Sequence, residues 1–181
     1  MRPGDVVVDC GASEGLWALS VIEKVGKIFL IEPQEVFAKS LQKTFAPYIL
    51  TKKAILLNCA VGACDSMCNL VERFIADIEA KVLVNQDGQT PLRCLDSLFE
   101  GQQVDFIKVD IEGYEMDLLL GAGEVIRENS PKLAIAVYHK GNNHLAMVEY
   151  VRSIVTTYNW RLTGMTSWGM PLMLHMWVPG K

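Results

Sequence analysis

The chain has 181 residues, half of them apolar, and a formal net charge of −4, which suits one domain with a full core better than two small ones. Lysine and arginine are scattered without a basic block, so neither nucleic acid nor an acidic membrane surface is an expected partner. No apolar run approaches the ~20 residues that cross a bilayer and no charged-then-apolar leader opens the chain, so a cytoplasmic protein is expected.

In chain order, Val6–Cys10 is an apolar run of strand type, and residues 14–24 follow as a helix made apolar by Leu16, Trp17, Leu19, Val21 and Ile22. Residues 28–31 form a second run that ends at Glu32-Pro33. Phe37, Leu41 and Phe45 then recur at helical spacing, with Pro47 expected to close that helix. Residues 55–61 read as a third strand. The rhythm is lost between 62 and 103, where short pieces at 68–72 and 81–85 and the stretch 92–99 suggest an irregular or hairpin-like insertion. Beyond it, residues 104–109 and 133–137 read as strands, with Leu118–Leu120 on a helix between them. Residues 143–157 look helical, and 160–163 and 172–178 read as closing strands. Residues 1–181 are therefore read as a single α/β domain, its strands forming a largely parallel sheet covered by helices on both faces.

The five cysteines are Cys10, Cys59, Cys64, Cys68 and Cys94. An odd number within apolar segments reads as reduced thiols packed as small hydrophobes. Cys59, Cys64 and Cys68 are not spaced C-x-x-C and have no histidine close in sequence, so no metal site is expected.

In an open parallel sheet a ligand sits beyond the carboxyl ends of the strands, where the strand order reverses. The polar residues at those ends are Asp9, Glu32, Asn58, Asp110 with Glu112, and Tyr138-His139-Lys140. Gly11 permits a tight strand-to-helix turn and close approach of main-chain N–H groups to a ligand, and Gly15 lets the helix pack near the strand. An ordinary turn with Ser13 as helix cap would read the same way. The pattern D-x-G-x-x-x-G is not the dinucleotide G-x-G-x-x-G: a diphosphate would meet Asp9, whereas an amine or sulfonium would be welcome there.

At these residues the chain resembles the FkbM family of class I S-adenosylmethionine-dependent methyltransferases. The matching blocks are GDVVVDCGASEG (4–15), GKIFLIEP (26–33), LLNCAVG (56–62), LRCLDSL (92–98), VDFIKVDIEGYEMDLLLGA (104–122) and PKLAIAVYHK (131–140), the long IKVDIEGYE element being the specific one. The resemblance implies a doubly wound, mostly parallel, seven-stranded Rossmann-like sheet with an antiparallel last strand. It implies that S-adenosylmethionine is the cofactor. Gly11, Ala12 and Gly15 would line its methionine part, with Asp9 anchoring the turn or meeting the amino group. Glu32 would accept from both ribose hydroxyls, and Asn58, Cys59 and Ala60 would lie along the adenine edge. Asp110 and Glu112 would face the methionine end, Asp110 either by direct contact or as a structural hydrogen bond.

Chemistry at such a site is an in-line displacement in which an acceptor hydroxyl takes the methyl, and alignment supplies most of the acceleration. The expected catalytic residues are His139 as first candidate for base and Asp110 as second. His144 reads as a helix-start residue and His175 as a core histidine. The acceptor is expected to be a small metabolite, sugar or polyketide-like molecule, and a homodimer is left open. Substrate cover is expected from 62–103 or from 164–171, where Met165, Trp168 and Met170 could form an apolar wall. Two rivals stand beside this reading: a catalytically inactive cofactor-binding module of the same fold, and a nucleotide-dependent oxidoreductase.

Overall fold

A computed structural model describes residues 1–71, 80–139, 141–167 and 169–181. Along the chain, β1 (Val6–Cys10) leads to α1 (Leu16–Val21), a 3-10 turn at Ile22–Lys24, β2 (Lys27–Ile31), α2 (Glu35–Thr44), α3 (Ala46–Leu50) and β3 (Ala54–Leu57). Next come β4 (Ala60–Val61), β5 (Ser66–Val71), β6 (Lys81–Val84), β7 (Thr90–Arg93) and α4 (Leu95–Leu98). The last third carries β8 (Phe106–Val109), α5 (Glu115–Leu120), α6 (Gly123–Asn129), β9 (Lys132–Ala136), α7 (His144–Ile154), β10 (Asn159–Met165) and β11 (Pro171–Trp177).

Seven strands form one sheet in the order β10-β11-β9-β8-β1-β2-β3. β3, β2, β1, β8 and β9 pair in parallel, while β11 runs antiparallel to both β9 and β10. This is the doubly wound sheet with a reversed last strand that the resemblance implied. The order reverses between β1 and β8, so their carboxyl ends flank the natural crevice.

Alternation along the strands divides the core in two. Val8, Cys10, Phe29, Ile31, Ile107, Val109, Leu133 and Ile135 point to one face and pack on α4 to α7. Val7, Ile28, Leu30 and Ala54 point to the other, where α1, α2 and α3 cover them through Ala18, Leu41, Phe45 and Ile49. The helices after β1 and β2 shield the β1-β2-β3 half of this second face. On its other half, Phe106, Lys108, Ala134, Met173 and His175 line a cavity instead. The alternating register that buries Ile107 and Val109 on the first face sets Phe106, Lys108 and Asp110 on the second.

Several boundaries differ from the sequence reading. Residues 55–61 are not one strand: β3 ends at Leu57, Asn58 breaks the run, and β4 belongs to a separate sheet of order β4-β7-β5-β6. That sheet, with its antiparallel β5-β6 pair, occupies much of the stretch expected to be irregular or hairpin-like. Pro47 does not close a helix but sits in the first turn of α3, where its missing N–H costs nothing. The first helix is capped by Gly15 at φ +81 rather than by Ser13. Gly15 also packs elsewhere than expected, since a Cβ there would meet Leu41 and Phe45 of the neighbouring helical layer. Leu118–Leu120 end α5, and a break at Gly121 separates it from α6. α7 starts one residue after Asn143, whose side chain accepts from the backbone N–H groups of Leu145 and Ala146, so His144 is the helix-start residue the sequence suggested. Glu72, Lys140 and Trp168 lie outside the described residues.

Candidate active site

The turn after β1 is held from three sides. The N–H groups of Gly11 and Ala12 both donate to the Ile31 carbonyl, at 3.0 and 3.1 Å, tying the turn to the end of β2. Gly11 has φ +77, and a Cβ at this position would fall 2.0 Å from the Asp110 carbonyl oxygen. The ends of β1 and β8 therefore approach too closely for any side chain there. From below, the Lys108 ammonium donates to the Gly11 carbonyl at 2.7 Å and lies 3.0 Å from Asp9 Oδ1.

Asp9 has no exposed surface. Burial pushes its carboxyl up to about 6, against the opposing pull of Lys108. The acid at the end of the first strand therefore answers a lysine on the neighbouring strand, and together they underpin the glycine turn.

Glu32, just past β2, is buried and receives two backbone donors: Ser13 N–H on Oε2 and Gln34 N–H on Oε1, each at 2.9 Å. Burial raises its pKa, and the two donors offset part of that. Both oxygens are thereby fixed in direction, each with a further lone pair available. Asn58 braces the same corner, donating to the carbonyls of Glu32 and Pro33 at 2.8 and 3.1 Å.

Beyond β8 and β9 lies a cluster of acids around one imidazole. His139 Nδ1 meets Glu115 Oε1 at 2.8 Å, and Nε2 faces Glu112 Oε2 at 3.4 Å and Asp110 Oδ1 at 3.6 Å. Burial alone would lower the His139 pKa, but the carboxylates of Glu112 and Glu115 raise it to about 10. Glu115 is fully buried; burial would raise its pKa, but hydrogen bonds from His139 and from Asn142 at 2.9 Å hold it below the usual carboxylate range. Asp110 accepts from the Tyr138 hydroxyl at 3.2 Å, and burial raises its carboxyl despite Lys108 and His139.

The glycine turn, Glu32 and Asp110 open on one cavity of about 790 Å³, within the range of small-molecule sites. Gly11, Ala12, Glu32, Asp110 and Glu112 line it together with Cys59 and Ala60, and Trp17, Phe106 and Met173 add apolar surface to the lining. Val82 of the second sheet and Ala80 just before its strand β6 also line it.

The family model for the methyltransferase FkbM domain matches residues 9–158, most of the chain. The chain belongs to the FkbM methyltransferase family. The crystal structure of the FkbM methyltransferase from Methylobacillus flagellatus KT superposes with a TM-score of 0.75 at 27% identity, covering 98% of this chain and 44% of that one. The chain thus spans under half the length of that relative. An rRNA methylase from Streptococcus thermophilus matches with a TM-score of 0.61 at 12% identity over 98% of this chain and 89% of that one. A methyltransferase from Streptococcus mutans in complex with SAH gives a TM-score of 0.61 at 10% identity, covering 98% and 90%. These last two show the fold alone. No curated protein matched the sequence.

In this FkbM chain the structure gathers Gly11, Ala12, Glu32, Cys59, Ala60, Asp110 and Glu112 around one cavity, but not every residue singled out in the sequence. Asp9 lies beneath the turn, Gly15 supports the helix start, and Asn58 braces Glu32 from outside the lining. His139 stands behind Asp110, 9% exposed and outside the lining. Met165 and Met170 are exposed and do not line the cavity. His175 is half-buried and does line it, with Nε2 2.8 Å from Thr163 Oγ1, so it is not the core histidine expected. The sequence reading missed Lys108 and Glu115. A lysine inside an otherwise apolar strand was the available signal for the first, and the glutamate three residues after Glu112 in the same motif for the second. Among the described residues, no helix is long and apolar enough to cross a membrane.

Proposed function

We propose that this FkbM chain binds S-adenosylmethionine at the Gly11–Glu32–Asp110 rim and transfers its methyl group to a hydroxyl of a small acceptor seated against the apolar part of the lining. The observation that carries this reading is the convergence of a side-chain-free turn, a doubly anchored carboxylate and a second acidic strand end on a single cavity. The residues present fit such a cofactor. Gly11 leaves backbone where a Cβ would collide with the opposite strand, and the edge carries acids rather than a phosphate-binding glycine pattern.

When bound, the cofactor supplies an electrophilic methyl on a sulfonium. Glu32, with both oxygens already aimed by backbone donors, accepts the two ribose hydroxyls. Cys59 and Ala60 offer a small, flat wall for the base, and Asp110 and Glu112 complement the positive end. Asp110, a cavity carboxylate backed by His139, takes the hydrogen bond of the acceptor hydroxyl, orients the oxygen and receives its proton as the methyl passes from sulfur to oxygen. His139 serves from behind, with Nδ1 committed to Glu115. The acceleration comes chiefly from alignment, for which effective molarities correspond to roughly 7–11 kcal/mol. A reduced, cytoplasmic setting agrees with five unpaired cysteines.

Thermal shift with S-adenosylmethionine, S-adenosylhomocysteine and NAD in parallel tests the cofactor. A ligand at ~100 times its dissociation constant stabilises by about 2.7 kcal/mol. Stabilisation by the first two and not by NAD is expected; a response to NAD alone defeats the reading. Screening hydroxylated small molecules for a mass gain of one methyl group then tests the transfer, and cofactor binding without any transfer would favour the inactive-module rival.

A further inference from the structure

The geometry points to a divalent-cation site built from Asp110, Glu112 and the Nε2 atom of His139, a site the sequence reading did not anticipate. Asp110, Glu115 and His139 bring one donor atom each within 4.8 Å of one another. The division of labour within that group follows from distance. Glu115 Oε1 sits 2.8 Å from Nδ1, a full hydrogen bond, so it is engaged with the ring. The other ring nitrogen is the one left over: Nε2 is buried and has no hydrogen-bond partner among the described residues. It is aimed at Glu112 Oε2 and Asp110 Oδ1, 3.4 and 3.6 Å away.

Those two separations are long for a charge-assisted N–H···O bond, which closes to ~2.7–2.9 Å. They are close to the spacing of ligands around a shared ion: two donors each ~2.1 Å from a metal and set at a tetrahedral angle lie roughly 3.4 Å apart. The remaining parts of a histidine–metal unit are also present. A carboxylate on the distal ring nitrogen fixes the tautomer and ring direction, and here Glu115 does so, itself anchored by Asn142 and by the Ile111 N–H. Charge balance agrees. Three carboxylates face one imidazole, so even a protonated ring leaves the cluster negative, whereas a divalent ion bound to the neutral ring offsets more of it.

One imidazole nitrogen with carboxylate oxygens is a borderline donor set, suited to Mn²⁺ or Zn²⁺. Asp110 and Glu112 both line the cavity, so the open positions of the ion face the place proposed for the acceptor. An oxygen bound there becomes more acidic. That last consequence rests on the methyl-transfer reading; the cation site itself rests on the donor geometry.

The test is Mn²⁺ titrated into the purified chain, followed by calorimetry and by electron spin-echo modulation. One ion per chain with coupling to an imidazole nitrogen is expected. Glu112→Gln should weaken binding by roughly 10-fold or more, and His139→Gln should abolish the nitrogen coupling. If His139→Gln does not fold, Glu112→Gln still decides. Absence of stoichiometric Mn²⁺, binding without nitrogen coupling, or wild-type affinity in Glu112→Gln overturns the site. A parallel thermal shift with S-adenosylhomocysteine separates the two readings. A shift without Mn²⁺ binding overturns the cation site alone, and the expected Mn²⁺ signature without a shift supports the cation site while removing the proposed cofactor.

Discussion

Asp9 makes the stability of this fold depend on pH in a direction opposite to that of most carboxylates. Its carboxyl is fully buried with Lys108 as its ion-pair partner, and it titrates at about 6 instead of 3.8. A carboxyl whose folded pKa is raised contributes stability that is complete below its unfolded value and lost as pH rises through the folded one. For Asp9 the window runs from 3.8 up to about 6. The difference corresponds to roughly 3 kcal/mol, at ~1.4 kcal/mol for each tenfold change in proton affinity. Asp9→Asn keeps the shape and removes the titration, so wild type and variant should be nearly equally stable below pH 4. Above pH 6 the variant should lead by roughly 3 kcal/mol, or several degrees in Tm for a chain of this size. Urea unfolding of both proteins between pH 4 and pH 8 reads that difference and cancels every other titrating group they share. A constant offset across the range, or a variant less stable at pH 7, would show that Lys108 keeps Asp9 ionised at little cost and would refute the reasoning.

At Gly11, alanine would drive a Cβ into the Asp110 carbonyl and force a positive φ on an L side chain; a loss of about 2 kcal/mol or more in unfolding free energy and no thermal response to S-adenosylmethionine are expected. Glu32→Ala should weaken that cofactor by roughly 10-fold or more, as expected on losing hydrogen bonds to a charged group, measured by calorimetry; unchanged affinity would move the ribose elsewhere. Cys64 is the exposed thiol, whereas burial pushes the Cys59 thiol up to about 11 and the Cys10 thiol up beyond it. A thiol reagent under native conditions should therefore modify Cys64 first and leave Cys10 and Cys59 until the chain unfolds, as peptide mass mapping can show.

The parallel half of the fold was legible because its strands are short apolar runs and its helices keep a period of 3.6, signals that depend only on neighbours in sequence. The break at Asn58 was not: AILLNCAV is apolar on both sides of one polar residue, and it is the pairing of Ala60 with Leu92 and of Val61 with Arg93 in a second sheet that shows the run serving two sheets. Pro47 misled for a similar reason, since a proline that ends one helix and one that begins the next look alike until the first turn is placed. The rim of the site was readable from strand ends, because Glu32 and Asp110 stand where the crossover leaves them, whereas Asp9, read the same way, turned inward to Lys108. What lay behind the rim was not. Lys108 and His139 take their roles from partners 97 and 24 residues away, and no local pattern reports such a pairing.

Charge distribution now explains why a lysine can sit inside a site built to attract a cation. Lys108 is 12% exposed, and its ammonium is spent inward on Asp9 and on the Gly11 carbonyl, so the positive charge is largely neutralised beneath the turn, while three acids at the edge have one imidazole among them. Glu32 receives backbone donors from Ser13 and Gln34, Asp110 faces Tyr138 and His139, and Glu112 faces His139. The balance at the rim is therefore negative. A nucleotide diphosphate would meet repulsion from Asp110 and Glu112 where a dinucleotide fold presents bare N–H groups, whereas a sulfonium or a divalent ion meets attraction. The backbone ladder sets the separation of β1 and β8, and Lys108 ties the Asp9 carboxylate to the Gly11 carbonyl at their carboxyl ends. The turn beside which the chemistry is proposed thus rests on an ion pair whose acid lies outside the cavity and whose lysine reaches its lining.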